Sequence, residues 1–177
     1  MTIQDFGSIG ELVGAIATIA TLVYLANQIR HNTTITRTSS LQSMLDGGRD
    51  RTIQPIINNP EVADIFARGM TSFDRLSSVE RVRFTWIICE TVLQMQNVMQ
   101  LHDEKILADV DYEAWLAWTA AVLRTPGGAV AWPQVSGIVT PTIRDVLIAH
   151  LKATPDQPSV LDLMPVIDAR TWDDGAV

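Results

Sequence analysis

Glu90, Gln94 and Asn97 are the polar residues whose spacing is most open to chemistry, because i, i+4 and i+7 place all three on one face of a helix. Ile87, Ile88, Val92 and Leu93 surround the carboxyl group with apolar neighbours. A carboxylate in such company is partly desolvated, and its pKa rises unless an arginine pairs with it, so this face suits a small polar pocket or a proton-sensing site. A buried network with Arg68, Arg81 or Arg124 that fixes helix register is the reading the sequence favours.

Other chemistry is sparse. His31, His102 and His150 stand apart, with no HExxH and no Glu-x-x-His pair of the kind that builds di-iron sites in bundles. His102-Asp103-Glu104 offers ligand types, but a histidine at a helix C-terminus more often complements the macrodipole. Neither GxxxxGK[ST] nor GxSxG occurs, and Gly7-Ser8-Ile9-Gly10 has the wrong spacing for either. The sequence therefore nominates no catalytic residue, metal ligand or cofactor. Trp86, Trp115, Trp118 and Trp132 form no repeat or stacking motif and read as core. Cys89, the one cysteine, excludes a disulfide framework within the chain.

A second polar set, Glu11, Thr18, Thr21, Asn27 and Gln28, interrupts an apolar N-terminal stretch. Polar groups inside lipid are costly, so Glu11 is expected at the outer headgroups and Asn27 and Gln28 at the inner interface. The alternative is a small homo-oligomeric channel, with Thr18, Thr21 and Gln28 around a water-filled path and Glu11 as a cation-attracting ring at its mouth. Gly7, Gly10, Gly14, Ala17 and Thr21 follow at spacings of three and four, a seam of small side chains. Gly10 and Gly14 form a GxxxG pair with Thr18 on the same side, so a helix–helix interface between copies is expected.

The element that positions these residues runs from Leu12 to Ile29, 18 residues without charge between Glu11 and Arg30. At 1.5 Å per residue it reaches about 27 Å, close to the ~30 Å hydrocarbon core of a bilayer. The leader has no Lys or Arg, which argues against a cleaved secretory signal. Phe6 and Tyr24 suit the interfacial levels, and Arg30, Arg37, Arg49 and Arg51 all follow the run. The positive-inside rule then predicts a single-pass protein of the inner (cytoplasmic) membrane with its N-terminus outside. The expected partners are the lipid bilayer, further copies of the chain and another membrane protein.

Composition agrees with that placement. Of 177 residues 47% are hydrophobic and only 19% charged, which excludes disorder as the main description. Mean hydropathy is +0.16, unusual for a soluble domain. The net charge of −7 is segregated: residues 30–101 hold 8 basic and 7 acidic side chains, residues 102–177 hold 5 and 11. Without clustered Lys and Arg, nucleic acid is excluded as a partner.

Beyond Arg30 the punctuation predicts helices throughout, an all-α fold. A stalk continues to a bend at Gly47-Gly48, and a short segment from Asp50 to Asn58 is interrupted at Pro55. Asn59-Pro60 opens a helix that closes at Gly69. Ser77-x-x-Glu80 is a capping box before a helix to His102 on which Val79, Val82 and Trp86 read as apolar face. Further helices are expected from Asp109 or Asp111 to Arg124 and from Thr140-Pro141 to Lys152, with only a short piece before Pro133. The domain plan is a short extracytoplasmic N-terminus (1–8), a transmembrane helix (9–30), a helical cytoplasmic domain (31–153) and an irregular acidic tail (154–177), docked through Leu161, Leu163, Met164 and Val166.

Leu22-Val23-Tyr24-Leu25-Ala26-Asn27-Gln28-Ile29-Arg30-His31-Asn32-Thr33, with Pro126-Gly127-Gly128 and Trp132 downstream, resembles a family of small uncharacterised bacterial proteins with an N-terminal membrane helix. The resemblance covers residues 8–135 and implies an anchored helical domain without supplying an activity. The expected function is a membrane-anchored scaffold or accessory subunit that self-assembles through its N-terminal helix. The channel is the first alternative, and a cytoplasmic enzyme or ligand sensor using a pocket near Glu90 is the second.

Overall fold

The computed structural model describes residues 3–168, apart from the side chains of residues 3–13, 34, 45, 49 and 52. Every regular element among them is helical. The chain divides into two units, 1–42 and 43–177.

The first unit is the N-terminal part of α1, which runs unbroken over Ile3–Gly48. No proline occurs in it, and its threonines satisfy themselves locally: Thr18 Oγ1 donates to the Gly14 carbonyl and Thr21 Oγ1 to that of Ala17, both at 2.8 Å. The single-pass inner-membrane topology expected for residues 9–30 is corrected here. Among the described residues no helix is long and apolar enough to cross a membrane. Described side chains begin at Gly14; Gly14 to Ile29 reaches only about 24 Å, and Asn27 and Gln28 already make its last turn polar. Gly7 and Gly10 of the small-residue seam, and Glu11, Leu12 and Val13 at the start of the span, fall where side-chain surroundings are outside the described residues.

In the second unit α1 does not bend at Gly47-Gly48. It passes into one π-helical stretch, Arg49–Ile53, and then into α2 over Gln54–Asn58. Asn59 ends that run and caps α3 (Pro60–Thr71), its side chain accepting from the backbone N–H groups of Glu61 and Val62. A 3₁₀ turn at Phe73–Arg75 leads to α4 (Ser78–Asp103), where both bonds of the Ser77/Glu80 capping box form. Then follow α5 (Asp109–Leu123), α6 (Pro126–Val135), α7 (Pro141–Ala153), α8 (Val160–Leu163) and a 3₁₀ turn at Pro165–Ile167.

α4 is the centre, packed against α3, α5, α6, α7 and the π stretch. Phe84, Ile88, Val92, Met95 and Val98 are fully buried along it. Val79, Val82 and Trp86, expected on the apolar face, lie instead on the exposed side. At 100° per residue they lie about half a turn away from the Phe84–Ile88–Met95 stripe. α6 continues through Pro133, which sits exposed while Ala131 and Val135 on either side are buried. Burial of those neighbours outweighs the missing donor. The close approach of α3, α4 and α6 depends on two glycines: a Cβ on Gly127 would collide with the Gly69 carbonyl, and one on Gly69 with the Phe84 ring. Of the C-terminal segment, Val160 and Leu161 are buried, whereas Leu163, Met164 and Val166 are exposed; residues 169–177, including Trp172, lie outside the described residues.

Arg68 ties α3 to α4, reaching both Asp64 and Glu80 at 2.6 Å. That bond, with the two from Ser77, holds the Glu80 carboxyl at about 2, below its ordinary 4.5. A carboxyl whose pKa is lower folded than unfolded stabilises the fold above the unfolded value, and the contribution is lost as pH falls toward the folded value. Glu80→Gln should therefore lower the melting temperature at pH 7, with the gap to wild type closing between about pH 4.5 and 2. Thermal unfolding followed by circular dichroism across that range checks it; a pH-independent gap would contradict the assignment.

Candidate ligand-binding site

The polar face of α4 forms around Gln94. This side chain is 5% exposed, and its Nε2 donates to the Met44 carbonyl at 2.9 Å while its Oε1 accepts from Asn97 Nδ2 at 3.4 Å. The approach requires glycine opposite, since a Cβ on Gly48 would lie 2.8 Å from Gln94 Nε2. Gly48 is thus a close-contact residue rather than the expected hinge. One turn earlier Glu90 pairs with Arg51 of the π stretch at 3.6 Å. None of the three arginines expected for Glu90 is its partner. Arg68 serves Asp64 and Glu80, Arg81 donates to the Leu76 and Asp74 carbonyls, and Arg124 donates to Thr154 across to the end of α7. The π stretch, which no sequence signal announces, is what brings an arginine 39 positions away in the chain alongside Glu90.

Beside this face lies a cavity of about 680 Å³. Thr91 and Gln94 of α4 form its polar edge. Opposite stand Ala114, Trp115, Trp118 and Val122 of α5. Ile53, Ile56 and Ile57 come from the π stretch and α2, Phe66 from α3, and Met164 and Ile167 from the C-terminal segment. No wall residue carries a charge. The tryptophans expected as core have divided roles: Trp115 and Trp118 line the cavity and Trp86 is 56% exposed. The spacing of Trp115, Trp118 and Val122 at i, i+3 and i+7 is a sequence signal for this wall, though it does not distinguish a cavity wall from packed core.

The remaining candidates lie apart. His102 Nε2 meets Asp109 Oδ1 at 2.9 Å and its ring stacks on Tyr112 with centroids 4.3 Å apart, which closes the α4–α5 turn. Among the described residues no three His, Cys, Asp or Glu side chains converge as metal ligands would. Cys89 is buried, and burial raises its thiol pKa. Thr18, Thr21 and Gln28 belong to α1, with both hydroxyls turned back onto the helix, while the Glu11 side chain lies outside the described residues. Comparison with family models, with curated proteins and with solved structures finds no match.

Gln94→Leu removes the one side-chain bond from α4 to Met44 while keeping an apolar filling. It should destabilise the fold by about 1–3 kcal/mol, measured by urea unfolding. A change below about 0.3 kcal/mol would show that the amide does not anchor the end of α1.

Proposed function

We propose that residues 43–168 form a ligand-binding module that takes a hydrophobic small molecule between α4 and α5. The observation that carries this reading is the cavity of about 680 Å³ lined by two tryptophans, four isoleucines and no charge. The space opens to solvent past Ile57 and Trp118, and small-molecule sites are clefts of about 300–1,000 Å³ with mostly apolar walls. The π stretch in the wall adds support, because π-helical segments occur disproportionately at functional sites. Glu90 and Arg51 flank the polar edge as a mutually neutralised pair, so the charges nearest the site do not select for an ion.

The test is titration with the neutral dye Nile red. Wild-type protein should bind one equivalent with a rise in emission. Ala114→Trp, which enlarges an exposed lining residue, should weaken binding at least about tenfold, while Val110→Trp, exposed and outside the lining on the same helix, should leave it unchanged. Equal binding by all three proteins would contradict the site.

A second reading concerns α1. Ile16, Ile19, Leu22, Val23 and Ile29 are each more than half exposed, and an apolar helix surface of that extent calls for cover. Self-association through the small-residue seam would cover the side that carries Leu22 and Ile29, with Ile16, Ile19 and Val23 across the helix from it, consistent with a scaffold or accessory role. The chain should then sediment as a multiple of 19.5 kDa, and Gly10→Leu with Gly14→Leu should shift it toward monomer. A monomeric wild type, or an oligomer indifferent to both substitutions, would contradict that reading.

A further inference from the structure

The hydrogen-bonding groups left over at the polar edge of the cavity specify more than an apolar ligand. Thr91 Oγ1 spends its only proton on the Ile87 carbonyl at 2.9 Å, so toward the cavity it can only accept. Gln94 Nε2 carries two protons and gives one to the Met44 carbonyl, while Gln94 Oε1 already accepts from Asn97. What Gln94 has left for a ligand is one N–H, with the second lone pair of Oε1 beside it. Thr91 and Gln94 are three residues apart on α4 and line the same cavity, so an acceptor and a donor stand side by side on one helix face.

A hydroxyl is the small neutral group that satisfies both, donating to one and accepting from the other. A carboxylate has no proton for Thr91 and meets a single N–H with no cation in the wall, which makes its desolvation costly. An ether or ester accepts from Gln94 but leaves the threonine oxygen unsatisfied. A hydrocarbon uses neither group. Resting on the ligand-binding reading above, we infer that the ligand is an uncharged hydrophobic alcohol whose hydroxyl bridges Thr91 Oγ1 and Gln94 Nε2, its apolar body lying between Trp115, Trp118 and the isoleucines of the π stretch and α2.

Displacement of bound Nile red by three compounds of equal chain length, 1-decanol, its methyl ether and decanoate, tests this at pH 8, where decanoate is ionised. Decanol should displace the dye at a concentration about tenfold below the ether, and further below decanoate. Thr91→Val keeps the shape and removes the acceptor; within that variant decanol and the ether should displace the dye at equal concentrations, each referred to the variant's own dye affinity. Decanol and ether displacing alike in the wild type would overturn the inference, as would decanoate matching decanol. A decanol advantage that survives in Thr91→Val would overturn the role of the threonine and with it the bridge. Failure of the dye itself to bind overturns the ligand-binding reading, whereas dye binding without an advantage for the alcohol overturns this inference alone.

Discussion

Burial of α4 is the constraint on which the rest of the second unit depends. Helix Ser78–Asp103 carries apolar side chains on more than one face, and Phe84, Ile88, Val92, Met95 and Val98 have no accessible surface at all. Fully burying each such side chain is worth about 1.5–3 kcal/mol. That gain is available only if several elements wrap the helix at once. The surrounding segments are short, between 4 and 15 residues, and helices of that length are marginal without a partner face. The dependence is therefore mutual: α4 needs its neighbours to exclude water, and they need α4 to be helical.

The cover is close on one side and open on the other. On the α3 and α6 side, glycines 69 and 127 let backbones approach until no side chain fits between them. On the α5 side, the π stretch and α2 meet large rings at Trp115 and Trp118, and the surfaces stay apart. Gln94 lies at this margin with a defined geometry. It fixes the last turn of α1 through the Met44 carbonyl and presents its remaining proton beside Thr91. A single buried amide thus both fastens the wall and sets the polarity of the space enclosed.

Much of the helical framework is legible in the sequence, because capping is local chemistry. Asn59-Pro60, Ser77-x-x-Glu80 and Thr140-Pro141 each mark a helix start within one residue, whereas Thr125-Pro126-Gly127-Gly128 reads as a turn and is in fact the cap and first turn of α6. The shared face of Glu90, Gln94 and Asn97 follows equally from helical spacing. What escapes is decided between distant segments. The choice of Arg51 over Arg68 for Glu90 depends on the π register of residues 49–53, and helix α6 survives Pro133 through the burial of its neighbours. Gly48 is read as a hinge until its contact with Gln94 is seen. The N-terminal run shows the opposite error: a charge-free length suggests a span, but a margin of a few residues and two terminal amides separates an apolar helix from one that reaches across a bilayer.

On the reading proposed above, the space between α4 and α5 is a binding site rather than a packing gap. The most direct measurement is heteronuclear NMR of the tryptophan indole N–H groups during addition of 1-decanol. The resonances of Trp115 and Trp118, which line the cavity, should shift saturably, with Trp86 on the opposite, exposed face unmoved. Absence of any shift at Trp115 and Trp118, or shifts of equal size at Trp86, would contradict it.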